Sequence, residues 1–170
     1  MNPREKVLNV FEELNIPFTL TEHPPLFTIA DYEKYDVKFD GMTFKNLFIR
    51  NQKKTAYYLV SLPENKRANL KLLQELLGET KLSFGSEPDL AAKLATTPGS
   101  VSALNIIGIE NTDVQFIIDN EALSHEKVGF HPNDNTATIT FAPSALETIM
   151  QKYNANYRFL TITEPSLSTA

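Results

Sequence analysis

Lys45 and Asn46 interrupt an otherwise apolar run, Phe44-Lys45-Asn46-Leu47-Phe48-Ile49. Strand alternation sets Lys45, Leu47 and Ile49 on one face and Phe44, Asn46 and Phe48 on the other. Each face then carries one polar group among apolar neighbours. An ammonium so placed either snorkels to water at an edge or is held in a cleft, and pattern alone favours the first. Held in a cleft, it would steady negative charge developing on a carbonyl or phosphate oxygen. A second candidate is the loop Thr97-Pro98-Gly99-Ser100-Val101-Ser102, where glycine lets a ligand oxygen approach backbone N–H groups. Taken alone, that segment reads as an ordinary turn. His131, in Gly129-Phe130-His131-Pro132, stands at a strand end, where a side chain can turn into a pocket. A lone histidine is more often structural or surface-exposed. His23, between Glu22 and Pro24, is equally ambiguous, and His125 reads as solvent-exposed.

Other chemistries lack their residues. The chain has no cysteine, which excludes thiol nucleophiles, disulfides and zinc–thiolate sites. Its three histidines are scattered, with no His-Glu-x-x-His pair, so neither metal nor cofactor is expected. There is no Gly-rich phosphate loop and no Gly-x-Ser-x-Gly elbow. The formal net charge of −5 argues against broad, sequence-blind binding of nucleic acid. A small basic patch is compatible with it. Arg50, Lys53 and Lys54 gather at one hairpin, and Lys66, Arg67 and Lys71 follow; the two groups could form an anion-binding rim, although such charges are more often a solvated surface. The first 14 residues carry charges and no apolar core segment, unlike a signal peptide, and no run approaches the ~20 apolar residues of a membrane helix. A soluble cytoplasmic protein is the expectation.

The elements that would position these residues can be read from periodicity and caps. Helices are predicted at 3–14, 29–35, 70–77, 87–94 and 143–152. Strands are predicted at 18–21, 43–50, 55–62, 81–84, 114–119, 127–130, 136–141 and 157–162. Asn2, Asn69 and Ser86 are the predicted N-caps, and Gly78 a C-terminal stop. Strands and helices are intermixed without regular alternation. That gives a mixed α/β (α+β) fold, one domain over 1–163 with a mixed central sheet flanked by helices, and a frayed tail at 164–170.

In order along the chain, Thr21-Glu22-His23-Pro24-Pro25-Leu26-Phe27-Thr28, Thr43-Phe44-Lys45-Asn46-Leu47-Phe48-Ile49, Leu82-Ser83-Phe84, Thr97-Pro98-Gly99-Ser100-Val101-Ser102, Val128-Gly129-Phe130-His131-Pro132-Asn133-Asp134-Asn135-Thr136-Ala137-Thr138 and Ala142-Pro143 resemble the YbaK superfamily. These are editing proteins related to the insertion domain of bacterial prolyl-tRNA synthetase. The sequence is most similar to the branch that deacylates alanyl-tRNA(Pro). No single motif is very specific, whereas the ordered set spans nearly the whole chain.

The resemblance implies a pocket facing the 3′ end of a charged tRNA, with prolyl-tRNA synthetase as a second partner. It implies Lys45 as the lysine needed for hydrolysis, and Asn46 beside it in the substrate site. Gly99, Ser100, Val101 and Ser102 would hold the terminal adenosine and ester. His131 would line the amino-acid pocket near Phe27, Ile29 and Leu47. The charge balance, apart from the resemblance, suggests tRNA contact through a few basic residues, Arg50, Lys53 and Lys54. The family loop commonly reads Gly-x-x-x-Pro, and here its last position is Ala103. Losing the ring that fixes φ is expected to loosen this loop. Three other readings stay open: a deacylase for Ser, Cys or Thr, a non-catalytic tRNA- or synthetase-binding module, and a small-ligand-binding domain.

Overall fold

Local signals set where each element begins. The computed structural model describes residues 1–26, 29–109 and 112–162, the side chains of Ile29 and Tyr32 excepted. Asn2 caps α1 (Pro3–Glu13), its side chain accepting from the Glu5 amide while Glu5 reaches back to the Asn2 N–H. This helix buries Val7, Val10 and Phe11. β1 (Phe18–Glu22) follows and stops just before His23-Pro24-Pro25, where the missing donors would break a ladder. Next come α2 (Ile29–Lys34), the long β2 (Met42–Asn51) and β3 (Tyr57–Pro63). Asn69 caps α3 (Leu70–Leu77), and Gly78 ends it in the left-handed region at φ 69°. β4 (Leu82–Phe84) leads into α4 (Glu87–Leu94), capped by Ser86. The chain ends with β5 (Gln115–Asp119), β6 (Val128–Phe130), β7 (Ala137–Phe141), α5 (Ser144–Lys152) and β8 (Asn156–Leu160). The residues expected to fray at the C-terminus, 164–170, lie outside the described set.

The strands form one mixed sheet in the order β1-β7-β6-β2-β3-β5-β8, with β4 also paired to β2. Every residue of β3 is buried, as a central strand covered on both faces requires. Its side chains alternate between two cores. Tyr57 and Leu59 face a large cluster with Phe11 of α1, Leu94 of α4 and Ile149 of α5. Tyr58, Val60 and Leu62 face a smaller one with Leu73 of α3 and Ile117.

β2 is the strand on which the two halves of the sheet meet. Along one edge it runs antiparallel to β3 from Phe44 to Arg50. Along the other it pairs with β6 only at Met42 and Thr43, and with β4 only from Ile49 to Asn51. Between those pairings residues 44–47 have no strand neighbour on that edge among the described residues. The segment after α4 fills the gap with two short 3₁₀ turns, Pro98–Ser100 and Ala103–Ile106. The sequence pattern does not predict the second turn, which is too short for any helical period to register.

Candidate active site

Where β2 and β6 part, a cavity of about 150 Å³ opens. Phe44, Lys45 and Asn46 enter it from β2, and Phe130 and His131 from the end of β6. Pro98, Gly99 and Val101 close the gap between them. Phe44 stacks on Phe130 with centroids 5.3 Å apart, giving the cavity an apolar wall. Gly129 also lines it. A Cβ there would lie 3.2 Å from the methyl groups of Thr43, Thr138 and Thr140. Glycine at this position lets three strands close beneath the pocket.

Lys45 is half-buried, and its Nζ donates to the backbone carbonyl of Lys66. That carbonyl is itself held. The Lys66 ammonium bonds Asp119 at 2.7 Å, Glu121 at 3.2 Å and the Ile162 carbonyl at 2.8 Å. Asp119 is only 1% exposed. Burial works to lower the pKa of Lys66, and the carboxylates of Asp119 and Glu121 outweigh it and raise it. Lys66 therefore does not join a surface rim with Arg67 and Lys71; a buried carboxylate claims its charge. Lys45 is neither fully extended into solvent nor sealed in the core.

Asn46 fixes the loop opposite. Its Oδ1 accepts the Ser61 hydroxyl at 2.6 Å and the Ala103 N–H at 3.1 Å. A proline at 103 would have no N–H to give. Ser102 is fully buried and caps the second 3₁₀ turn in a reciprocal pair with Asn105. Asn105 extends the tie, its Nδ2 donating to the Ser100 carbonyl at 3.2 Å and to Asn133 Oδ1 at 2.7 Å. Asn133 in turn donates to the Leu104 carbonyl at 3.0 Å. The loop that the missing proline was expected to loosen is thus bonded to β2 and to the 131–136 turn.

His131 Nδ1 lies 3.1 Å from the Ala137 carbonyl, so it carries the proton there and leaves Nε2 as acceptor in the neutral ring. Burial lowers its pKa, against opposing contributions from the Ala137 bond and nearby carboxylates. The imidazole is neutral near pH 7. His23 is buried beside it, its Nδ1 2.8 Å from the Pro24 carbonyl and its Nε2 2.8 Å from the Thr138 hydroxyl. With both nitrogens engaged, it supports the cavity wall. His125 is half-buried and pairs with Glu121 at 3.1 Å.

The structure thus brings Lys45, Asn46, Gly99, Val101 and His131 together. It places Ser100 and Ser102 behind the cavity rather than on it. Leu47 packs in the smaller core, on the face away from Phe44. Arg50 lies five residues along β2 from Lys45, about 16 Å at the usual strand rise. Exposed Lys53 and Lys54 lie beyond it in the β2–β3 hairpin. Phe27 and the Ile29 side chain are outside the described residues. Sequence reasoning missed Glu64, which lines the cavity beside Thr43. The β2–β3 register would have found it, because Phe44 opposite Pro63 puts Glu64 next to Thr43.

A larger recess of about 450 Å³ lies near Ile109 and Tyr153, and Lys152 and Tyr153 are its titratable lining residues among those described. The smaller cavity joins ammonium, carboxylate and neutral imidazole and is the better reaction site.

Fold and site together define a mixed-sheet domain with a small polar pocket built around one lysine. Residues 23–149 match the family model of the aminoacyl-tRNA editing domain, and the chain belongs to that family. It is 38% identical over 156 residues to the prolyl-tRNA editing protein ProX of Acetoanaerobium sticklandii, covering 92% of this chain and 94% of that protein. It is 32% identical over 153 residues to prolyl-tRNA synthetase associated domain-containing protein 1 of Xenopus laevis, covering 88% and 90%. A crystal structure of a candidate trans-editing enzyme for prolyl-tRNA synthetase matches with a TM-score of 0.68 at 16% identity, over 96% of this chain and 99% of that one. At that identity the likeness is one of fold.

Proposed function

We propose that this protein is a stand-alone deacylase that hydrolyses alanyl-tRNA(Pro) to alanine and tRNA(Pro), acting in the cytoplasm where charged tRNA is found. The observation that carries this reading is a lysine ammonium and a glycine loop lining one 150 Å³ cavity, in a chain of the editing family. Drug-sized ligands fill roughly 300–1,000 Å³. A space this small takes an aminoacyl group, with the terminal nucleotide at its mouth. The relative named for prolyl-tRNA editing supports proline tRNA as the carrier. A proline-activating site rejects smaller amino acids poorly, since a methylene gives only about 1–3 kcal/mol of discrimination. A second, tighter site removes what the first admits.

In this mechanism water attacks the ester carbonyl and the ribose oxygen leaves with a proton. Lys45 steadies the negative charge in the ester region. Ser100 N–H is engaged by the Thr97 carbonyl and Ser102 N–H by Asn105, which leaves the amides of Gly99 and Val101 as the loop donors for the oxyanion. Buried Ser102 and recessed Ser100 are not nucleophiles, and the route is non-covalent. A ribose hydroxyl of the tRNA helps activate the water. Arg50, Lys53 and Lys54 contact tRNA away from the ester, and prolyl-tRNA synthetase supplies the substrate.

The test is hydrolysis of alanyl-, prolyl-, seryl- and cysteinyl-tRNA by the purified protein. Selective release of alanine is expected. Preferred release of serine or cysteine would move the substrate, and no release from any would make the protein a binding module.

A further inference from the structure

Glu64 follows the last residue of β3 and has no role in the mechanism above. Its amide donates to the Thr43 carbonyl at 2.9 Å, extending the β2–β3 ladder by one residue. The Thr43 hydroxyl donates to its Oε2 at 2.5 Å, which fixes the carboxylate against β2. Glu64 lines the cavity that also holds Lys45 and His131. It also lines an adjoining recess with Val37, Phe39 and Met42. Among the described residues of the 150 Å³ cavity, Glu64 carries the one negative charge.

An aminoacyl ester presents two kinds of charge. Its carbonyl becomes an oxyanion during attack, and its α-nitrogen is an ammonium near neutral pH. The cavity has a partner for each. We propose that Glu64 is a specificity residue that recognises the α-ammonium of the esterified amino acid, setting the carbonyl between Lys45 and the Gly99–Val101 amides. Burial keeps His131 neutral, so its imidazole does not compete with an α-ammonium for that carboxylate. A carboxylate–ammonium hydrogen bond shielded from water is stronger than a neutral one, and directional enough to orient the ester. This reading rests on the deacylase function.

The test compares alanyl-tRNA(Pro) with lactyl-tRNA(Pro), in which a hydroxyl replaces the ammonium at nearly equal size. Glu64→Gln keeps an acceptor for Thr43 and removes the charge. Its kcat/KM on alanyl-tRNA(Pro) should fall about 10- to 100-fold, the range of a lost charged hydrogen bond. On lactyl-tRNA(Pro) the change should stay within about 3-fold. Glu64→Asp retains the charge and should retain most of the preference for alanyl over lactyl ester. Equal losses on both substrates in Glu64→Gln would overturn the assignment, and so would an unchanged preference. A preference lost as fully in Glu64→Asp as in Glu64→Gln would overturn it too. If the wild-type protein hydrolyses neither ester, the deacylase reading fails and this one with it. If it hydrolyses both and the variants fail as described, the deacylase reading stands and only the role of Glu64 falls.

Discussion

At the scale of single residues, the site depends on how burial sets charge. His131 illustrates the sign. Its folded pKa lies below the ordinary 6.5 because burial disfavours the imidazolium. The unfolded chain therefore binds that proton more readily than the folded one. Stability from this group is fully present above about pH 6.5 and is lost as pH falls through that value toward the folded pKa. His131→Asn should remove this dependence. Denaturant unfolding at pH 7.5 and pH 5.5 checks it: the wild-type protein should lose more stability between those values than the variant. Equal losses would show that His131 is not held neutral by the fold. In the residue pattern the candidate lysine was legible only as an irregularity, a cation inside an apolar strand, and the family resemblance gave it a role. Whether Lys45 snorkels or sits in a cleft depends on the Lys66 carbonyl, which Asp119 holds from far along the chain. No local pattern carries that information.

At the scale of elements, the loop after α4 is held by bonds rather than by ring stiffness. Asn46 and Asn105 supply them. Ala103 opens a 3₁₀ turn, and Ser102 before it is extended at φ −159°, ψ 150°, a conformation a following proline accepts. Ala103→Pro should thus cost one hydrogen bond and gain backbone rigidity, with a net stability change within about 1 kcal/mol. Asn105→Ala should cost roughly 2–3 kcal/mol, because it removes three hydrogen bonds and leaves the buried Ser102 N–H unsatisfied. Thermal and denaturant unfolding of the two variants decides between them; equal destabilisation would mean that φ at 103, not the asparagine network, holds the loop. The sequence announced three of the helices through caps: Asn2, Asn69 and Ser86 each start the helix expected of them. It did not reveal the network, because an asparagine read in isolation looks like a turn former. Nor did it reveal that β2 pairs with β6 at only two positions, the long-range feature that opens the cavity.

At the scale of the whole molecule, a chain of net charge −5 must meet a polyanion. Few phosphate contacts are expected, and with them a weak affinity whose salt slope is set by that small number. The hairpin holding Arg50, Lys53 and Lys54 stands about 16 Å or more from Lys45 along β2, a span a tRNA acceptor stem can bridge. Reversing Lys53 and Lys54 to Glu should weaken tRNA binding and flatten the plot of log K against log salt by about 1 for each phosphate no longer neutralised. It should leave kcat unchanged. An unaltered salt slope would remove this hairpin from the interface. Mixed fold class and element order were legible because α1, α4, α5 and the central strands each bury an apolar face. The site was less so, since its residues come from four separate segments that only the sheet order brings together.

The central claim is that Lys45 supplies the charge that hydrolysis requires. Its most direct test is the single-turnover rate of alanyl-tRNA(Pro) hydrolysis by Lys45→Ala beside the wild-type protein, with thermal unfolding of both. The rate should fall by at least about 100-fold. The melting temperature should stay nearly unchanged, because the bond from Lys45 to the Lys66 carbonyl is half-buried and the Lys66 anchor stays in place. A folded Lys45→Ala variant that hydrolyses the ester at close to the wild-type rate would contradict the claim.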